Sequence, residues 1–284
     1  MMEQLASAHR VQRMCQAFQV SRSGYYKYMN QLKQGKRNKE NILLLEEIMN
    51  IWLNSRRLYG SLRITAALRN KGFTVNKKRV VRLMQLNDIK ARRRKKYHIT
   101  TNSKHNKPVA ENLLMRNFIV HKPNKIWLGD ITYLKTKEGP LFLAVVMDLY
   151  SRMPVGYNIQ NHLRTPLVLD ALQKAFSRRG EPGQLIFHSD QGIQYASEEF
   201  REMLSKYGVT QSTSRRGNCY DNAPMESFFH TLKTELINME NFKTRDEAEY
   251  AIVNYIEEFY ISLRLHSSLN YKSPKEFERL ALLT

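Results

Sequence analysis

Apolar residues in the first ninety positions recur three and four residues apart, which is the spacing of an amphipathic helix. Residues 9–30 predict two short helices around a turn, with Ser21 or Ser23 as the cap of the second. The pattern of the first helix is formed by Val11, Met14, Cys15 and Phe18. A separate packing helix is predicted over 40–55, and it is too short for a coiled coil of three or more heptads.

A second pair of helices is predicted within residues 59–90. Lys71-Gly72 is expected to end the first helix, and Asn76 is placed to cap the second. The apolar side of this second helix is expected to contain Val80, Val81, Leu83, Met84 and Leu86. Two helices around a turn are a common DNA-reading shape, but the same arrangement also builds ordinary small helical domains. The pattern alone leaves both interpretations open.

From about residue 112 the pattern changes to short apolar runs typical of strands. Strands are predicted at 126–134, 141–150, 154–160, 185–189 and 209–214. Helices are predicted at 165–178, 197–207 and 221–236. Three strands followed by alternating helices and strands indicate an α/β domain with a mixed sheet. The tail from residue 244 is predicted to be mostly helical.

The charge of the chain is concentrated at one end. The chain has 46 Lys and Arg, 26 Asp and Glu, and a formal net charge of +20. Residues 1–110 hold 25 of the basic residues and five acids, whereas the other 174 residues hold 21 of each. A basic first part and a neutral second part predict a polyanion-binding region joined to a region with another task. A soluble or membrane-facing basic surface is the alternative.

Membrane association is not expected from this sequence. The longest wholly apolar run is residues 141–147, far below the ~18 residues of a membrane span, and there is no signal-peptide pattern. Cys15 and Cys219 are far apart and lack a Cys-x-x-Cys partner, which favours a reducing compartment and argues against a zinc finger. We expect a cytoplasmic protein.

Two groups of basic residues are candidates for contact with nucleic acid. The first, in the opening turns of the helix after Asn76, comprises Lys77, Lys78, Arg79 and Arg82. Such positions suit contacts to phosphates and base edges. The second lies in the polar, basic segment ARRRKKYHITTNSKHNKP and comprises Arg92, Arg93 and Arg94. We expect this segment to be a flexible linker that follows DNA, with a merely solvated linker as the alternative.

Three acids in the second part of the chain have contexts that can converge on one site. Asp130 interrupts the apolar run IWLGDITYL, where a charge is costly unless it is paired or binds a metal. Asp190 follows the strand LIFHS, at a strand end of the kind where α/β sheets place ligands. Glu226 lies near the start of an amphipathic helix. Singly, each acid has an ordinary structural explanation; together they are what two divalent ions need to act on phosphodiesters.

Further candidates lie beside these acids. His188 shares a strand face with the second acid and is a supporting donor, a phosphate contact or a structural histidine. Asp221 or Asn222 is predicted to cap the helix, and Asn222 is also a candidate support behind the site. Lys233 follows the helix acid by seven residues on the same edge, where it can grip a phosphate or form a solvated charge pair. The loop before the helix offers Arg215 and Arg216 as phosphate contacts.

Residues 60–284 resemble the transposases of the IS3 family of bacterial insertion sequences, within the DDE transposase and retroviral integrase superfamily. The stretches WLGDITY, HSDQGIQY and SRRGNCYDNAPMESFFHTLKTE stand where that family has its three acidic motifs. Asp190 and Glu226 enclose 35 residues, the spacing shared with retroviral integrases. The tail FYISLRLHSSLNYKSPKEF resembles the closing motif of the family, except that Ile261 stands where relatives usually carry Asn.

The resemblance implies a ribonuclease-H-like catalytic core, a mixed sheet flanked by helices. An all-α helix-turn-helix region would precede this core, and a helical tail would follow it. Asp130, Asp190 and Glu226 would hold two Mg²⁺ or Mn²⁺ ions, and Lys233 occupies the basic position of the family. The resemblance further implies cleavage at the 3′ ends of the element, followed by attack of the freed 3′-hydroxyl on a second phosphodiester. No covalent protein–DNA intermediate is expected.

Partners are implied in the same way. They are double-stranded DNA (terminal inverted repeats and target), further copies of the chain on paired ends, and an upstream helix-turn-helix and leucine-zipper protein of the same element. The expected location is the bacterial nucleoid. The predicted regions are 1–55, 56–110, 111–243 and 244–284. Two other functions stay open: a ribonuclease-H-like nuclease without strand transfer, and a catalytically inactive DNA-binding regulator.

Overall fold

A computed structural model of the chain describes residues 10–92, 110–215 and 218–283. These residues divide into two compact units, one ending at Ala91 and the other beginning at Arg92. No helix in the described ranges is both long and apolar enough to cross a membrane. The four-part division at residues 55, 110 and 243 stays a prediction.

The first unit is wholly helical. Its helices are α1 (Val11–Ala17), α2 (Arg22–Asn54), α3 (Ser61–Asn70) and α4 (Lys77–Leu86). The prediction of a separate helix over 40–55 was wrong, because α2 is one continuous helix of 33 residues. Its middle, residues 31–39, is rich in Gln, Lys and Arg, which favour helix, and its single Gly35 does not interrupt it.

The ends of these helices follow the predicted turn chemistry. Ser21 Oγ accepts a hydrogen bond from Gly24 N at 3.0 Å and caps α2. Asn76 Oδ1 accepts one from Lys78 N at 2.8 Å and caps α4. Gly72 has a φ of +88° just after α3, a conformation that glycine adopts without strain. These three predictions are confirmed.

The core of the first unit lies between the second half of α2 and the α3–α4 pair. Ile48, Ile64, Leu68 and Val80 have no exposed surface. The prediction that Leu86 belongs to this core was wrong, since 73% of its surface is exposed. Leu86 is the last residue of α4 and lies beyond the part of the helix that packs.

The second unit is built around a mixed five-stranded sheet. Its strands are β1 (Ile126–Thr136), β2 (Gly139–Asp148), β3 (Pro154–Gln160), β4 (Ile186–Ser189) and β5 (Thr210–Thr213). The spatial order is β3-β2-β1-β4-β5. Strand β2 is antiparallel to both of its neighbours, β1 and β3, whereas β4 and β5 run parallel to β1. The predicted α/β order is therefore confirmed.

Helices accompany the sheet along the chain. They are α5 (Thr165–Arg179), α6 (Glu198–Lys206), the 3₁₀ turn Cys219–Asn222 and α7 (Ala223–Glu235). Helix α5 approaches the sheet closely at Gly156 of β3, where a Cβ atom would lie 2.2 Å from the carbonyl oxygen of Ala171. Only glycine lets α5 pack this close to the strand at this position.

The C-terminal segment is helical, as predicted. It contains the 3₁₀ turn Ile237–Met239, α8 (Arg245–Asn254), the π-helical segment Tyr255–Ile261, the 3₁₀ turn Ser267–Leu269 and α9 (Pro274–Ala281). It is tied to α7 by a buried ion pair, in which Arg264 Nε and Nη2 donate to the two oxygens of Glu235 at 2.8 Å each. Tyr255 Oη donates to the same carboxylate at 2.8 Å. Ile261 is buried, so its apolar side chain suits its place.

Candidate active site

Two of the three candidate acids are neighbours across the parallel strands β1 and β4. Gly129 of β1 pairs with Ser189, the last residue of β4, so Asp130 and Asp190 follow at the same level of the sheet. The carboxylate of Asp190 is oriented by Gly192 N, which donates to Oδ1 at 2.9 Å. Because β4 ends at Ser189 whereas β1 continues to Thr136, the two acids lie next to each other at the carboxyl end of β4.

The helix that carries the third acid is joined to the same place. Asn222 precedes α7, and its Nδ2 donates to the carbonyl oxygen of Gly129 at 3.2 Å. Asn222 is the N-cap residue of α7, one of the two predicted, but its side chain does not cap the helix, because the amide is turned toward β1 instead. This bond fixes the start of α7, and with it Glu226, beside the strand that carries Asp130. Asn222 Oδ1 is buried and has no hydrogen-bond partner among the described residues.

The acids interact electrostatically. Burial, and next the negative charge of Asp190, raise the pKa of Asp130 well above its usual range. The charge of Glu226 acts in the same direction, whereas the hydrogen bond from Ile131 N and the charge of Lys233 oppose it. Asp190 and Glu226 therefore both lie within electrostatic reach of Asp130.

Lys233 faces the interior of this unit. Only 8% of its surface is exposed, and its Nζ lies 5.7 Å from the centre of the Tyr133 ring. Because its charge lowers the pKa of Asp130, it offsets part of the repulsion among the acids. The i, i+7 spacing therefore places a cation near the acids, not on a solvated face.

The donor set suits a hard divalent cation. All three candidate side chains are carboxylates, which favour Mg²⁺ or Mn²⁺ over zinc, and a cation between them would relieve the repulsion that raises the pKa of Asp130. Within the described ranges, no three His, Cys, Asp or Glu side chains are grouped closely enough to hold an ion as they stand. The acids are thus coupled in charge without forming a closed cage.

His188 supports the site from behind. It has no exposed surface, its Nδ1 is 2.8 Å from Ser212 Oγ, and its Nε2 is 3.1 Å from the carbonyl oxygen of Asp221. Burial lowers its pKa, which favours the neutral ring. Of the three roles considered for His188, this position fits a structural support that joins β4, β5 and the loop before α7.

The loop before α7 is organised by a buried carboxylate. Asp221 accepts hydrogen bonds from Arg215 N at 3.0 Å, from Arg215 Nε and Nη2 at 2.9 Å each, and from Arg116 Nε at 3.0 Å. Asn112 Nδ2 adds another at 2.9 Å. The Arg215 guanidinium is therefore bonded within the protein, although the side chain stays exposed. Arg216 lies outside the described residues.

Sequence reasoning missed several residues around the acids. Asn112 and Arg116 precede Asp221 by more than a hundred residues, and no local pattern indicated that contact. Tyr195 is buried, and its pKa is raised by burial and by the charges of Asp130 and Asp190, which places it near both acids. Its place in the stretch HSDQGIQY was the one available signal.

The basic candidates of the first unit differ in their surroundings. Lys77, Lys78 and Arg82 are exposed on α4. Arg79 instead reaches α2, where its Nε donates to Asn41 Oδ1 at 2.9 Å and its Nη2 lies 3.3 Å from Glu40 Oε2. In the second unit, Arg92 is exposed. Arg93 and Arg94 lie outside the described residues.

Comparison with protein families finds three matches along the chain. An integrase core domain matches residues 120–219, a second integrase core domain model matches 207–274, and an HTH-like domain matches 38–97. The integrase core matches cover the sheet and the site, and the HTH-like match covers α3 and α4. The second unit therefore has a ribonuclease-H-like fold, and the first unit contains a helix-turn-helix region.

Curated relatives match over most of the chain. A transposase for insertion sequence element IS904 of Lactococcus lactis is 42% identical over 87% of this chain and 98% of its own length. An IS600 protein of Shigella sonnei is 40% identical over 93% and 97%. Transposase InsF of IS3A from Escherichia coli is 37% identical over 94% and 93%.

Among solved structures, the catalytic core of HTLV-2 integrase in complex with magnesium is 22% identical, with a TM-score of 0.41 over 55% of this chain and 97% of that one. The family of the chain is assigned instead from the curated relatives, which are similar to this chain over nearly its full length and nearly their own. The integrase core matches, which include the three acids, support the same family. The chain belongs to the IS3 family of insertion-sequence transposases, enzymes of DNA transposition and integration.

Proposed function

We propose that this transposase cleaves the 3′ ends of its insertion sequence and transfers them to a second DNA strand, with Asp130, Asp190 and Glu226 as the catalytic acids. One observation carries the proposal. Burial and the charges of Asp190 and Glu226 raise the pKa of Asp130 in the central strand β1, so acids from two other segments act electrostatically on this side chain. Such coupled carboxylates are typical of a site that handles phosphate through cations.

The same acids would hold two Mg²⁺ or Mn²⁺ ions. Such ions, when bound, would activate the attacking water or 3′-hydroxyl and would neutralise charge on the phosphate. The chain's own backbone orients the acids for this task, since Ile131 N donates to Asp130 and Gly192 N donates to Asp190. The three carboxylates would still have to move closer together when ions bind, since in the described residues they do not form a closed cage.

Other side chains would position the DNA backbone around the acids. Lys233, next to the acids, would contact the phosphate that is being cleaved, and Arg215 and Arg216 would contact phosphates further along the strand. Asn222 and His188 would act as positioning residues, because they anchor the start of α7 and the loop before it. No side-chain nucleophile is needed, since water would attack phosphorus in the cleavage step and the freed 3′-hydroxyl would attack in the transfer step.

The basic first unit would capture the ends of the element before cleavage. Lys77, Lys78 and Arg82 present exposed charges at the start of α4, where a recognition helix contacts phosphates and base edges. Arg92, Arg93 and Arg94 would extend this contact. We further propose that several copies act on paired ends, with or without the upstream helix-turn-helix and leucine-zipper protein of the element.

The test is incubation of the purified chain with a labelled duplex that carries the end of its element, with and without Mg²⁺. We expect joined or transferred ends with Mg²⁺, and none after chelation or with Asp130→Asn. Asp246→Asn, which changes an exposed Asp on α8, is the matched control. Nicking without joining would support the nuclease alternative. Unchanged DNA processing by Asp130→Asn would refute the catalytic assignment.

A further inference from the structure

An exposed aromatic ring lies three positions before α7. Tyr220 has 67% of its surface exposed, whereas the next two residues, Asp221 and Asn222, are buried. All three belong to the 3₁₀ turn Cys219–Asn222. One short turn therefore directs two side chains into the protein and holds a large ring out in solvent.

The backbone that carries this ring is fixed by contacts to the sheet. The carbonyl oxygen of Asp221 is 3.1 Å from His188 Nε2, and Asn222 is bonded to Gly129. Gly129 directly precedes Asp130, so few covalent and hydrogen bonds separate Tyr220 from the candidate acids. The backbone beneath the ring is thus anchored to the strand that carries Asp130, which lowers the entropic cost of using the ring for binding.

A guanidinium group lies against the ring. Arg116 Cζ is 5.6 Å from the centre of the Tyr220 ring, within the range of a cation–π contact. Arg116 is itself held in place, because its Nε donates to Asp221 at 3.0 Å and its Nη2 donates to Asn218 at 3.0 Å. Tyr220 and Arg116, which we term the aromatic platform, combine a flat apolar face with positive charge.

We propose that the aromatic platform stacks an unpaired nucleobase of the DNA end beside the cleavage position. A nucleobase offers the flat π-face that an exposed tyrosine can cover, and stacking of this kind accepts any base. The net charge of the groups around the ring favours DNA, because the two positive charges of Arg116 and Arg215 exceed the single negative charge of Asp221. A base within a duplex is already stacked, so the occupant must be unpaired.

This inference rests on the proposed function, because that function brings the DNA end to the acids. Its test is nevertheless a binding measurement without divalent ions, so cleavage is not required. The probes are two duplexes of the same terminal sequence, one with unpaired terminal bases and one closed by hairpins at both ends. The variants are Tyr220→Ala, Tyr220→Phe and Tyr220→Trp. Tyr250→Ala is the matched control, since Tyr250 of the same unit is 75% exposed.

We expect Tyr220→Ala to weaken binding of the unpaired end by roughly 5- to 150-fold, the range for loss of one base–aromatic stack. Phe and Trp keep a flat ring and should keep the affinity. Binding of the hairpin-closed duplex should not change, and Tyr250→Ala should behave as the wild type. A halogenated uracil in the unpaired end should crosslink to Tyr220. Thermal unfolding of each variant verifies that it is folded.

Equal affinity of Tyr220→Ala and Tyr250→Ala for the unpaired end would contradict base stacking on the aromatic platform, even if the wild type cleaves DNA. A change in oligomeric mass without a change in DNA affinity would identify a protein occupant and also overturn it. Loss of affinity in Tyr220→Trp as large as in Tyr220→Ala would exclude stacking as the cause. By contrast, absence of cleavage by the wild type bears on the proposed function alone.

Discussion

At the residue scale, Asp130 is costly to keep charged. Its pKa in the folded protein is raised by burial and by Asp190, so stability is lost as pH rises through that raised value. Asp130→Asn removes the charge and should therefore raise the melting temperature at pH 7, in the presence of a chelator, by about 2–4 °C. Calorimetry checks this, with Asp246→Asn as control. A lower melting temperature would contradict the electrostatic coupling.

Asp221 predicts the opposite pH dependence. The pKa of Asp221 is held below its usual range, most strongly by the side-chain hydrogen bonds of Arg215. The contribution of Asp221 to the stability of the fold is therefore present above the ordinary pKa of ~3.9 and is lost as pH falls below that value. Asp221→Asn should lower the free energy of unfolding at pH 7 by about 1–3 kcal/mol. Urea titrations at neutral pH and below pH ~3.5 test this. A difference that persists undiminished in acid would exclude the ion pair as its source.

The candidate acids were predictable because each leaves a local trace. Asp130 interrupts an apolar strand, and Asp190 follows the end of another. Glu226 is separated from Asp190 by 35 residues, the spacing shared with retroviral integrases. The contact of Asp221 with Arg116 left no such trace, since only the folded chain brings the two segments together. Asn222 was predicted to cap α7 because the local sequence pattern shows where the helix starts. The pattern does not show that β1 lies close enough to bind the side chain of Asn222 instead.

At the element scale, the buried pair Arg264–Glu235 joins the C-terminal segment to α7, the helix that carries Glu226. Removal of one partner leaves a buried charge without compensation, so Arg264→Ala should cost about 3–5 kcal/mol of stability. The double variant with Met at both positions should cost less, because no unpaired charge remains. Unfolding in urea measures both. A double variant less stable than Arg264→Ala would contradict this.

The order of strands and helices was predictable because alternation and helical spacing are strong along the second unit. The continuous helix α2 was not predicted, since residues 31–39 lack an apolar stripe and pattern reasoning treated them as a break. Helix propensity of the backbone, not burial, carries the helix through this stretch. Polar helices of this kind are invisible to a search for amphipathic periodicity.

At the scale of the whole molecule, the excess charge of the first 110 residues predicts strongly salt-dependent DNA binding. Lys77→Ala, Lys78→Ala and Arg82→Ala should each reduce the slope of log affinity against log salt by about 1. Arg79→Ala is the matched control, because Arg79 is bonded to α2 and should instead lower stability. Binding titrations across a salt series measure the slopes. An equal loss of slope for Arg79→Ala would show that it contacts phosphate.

The 33 residues of α2 also set a length. A helix with this many residues is about 50 Å long, which corresponds to about 15 base pairs of duplex at ~3.4 Å per base pair. The α3–α4 pair is bonded to its second half through Arg79 and Lys71, whereas the turn to α1 lies at its start. The bonded residues Asn41 and Glu47 lie 19 and 25 residues after Arg22, which is about 28–38 Å along the helix axis. If the turn before α2 and the α3–α4 pair both contact a terminal repeat, we expect their contacts to be about 8–11 base pairs apart, close to one turn of the duplex.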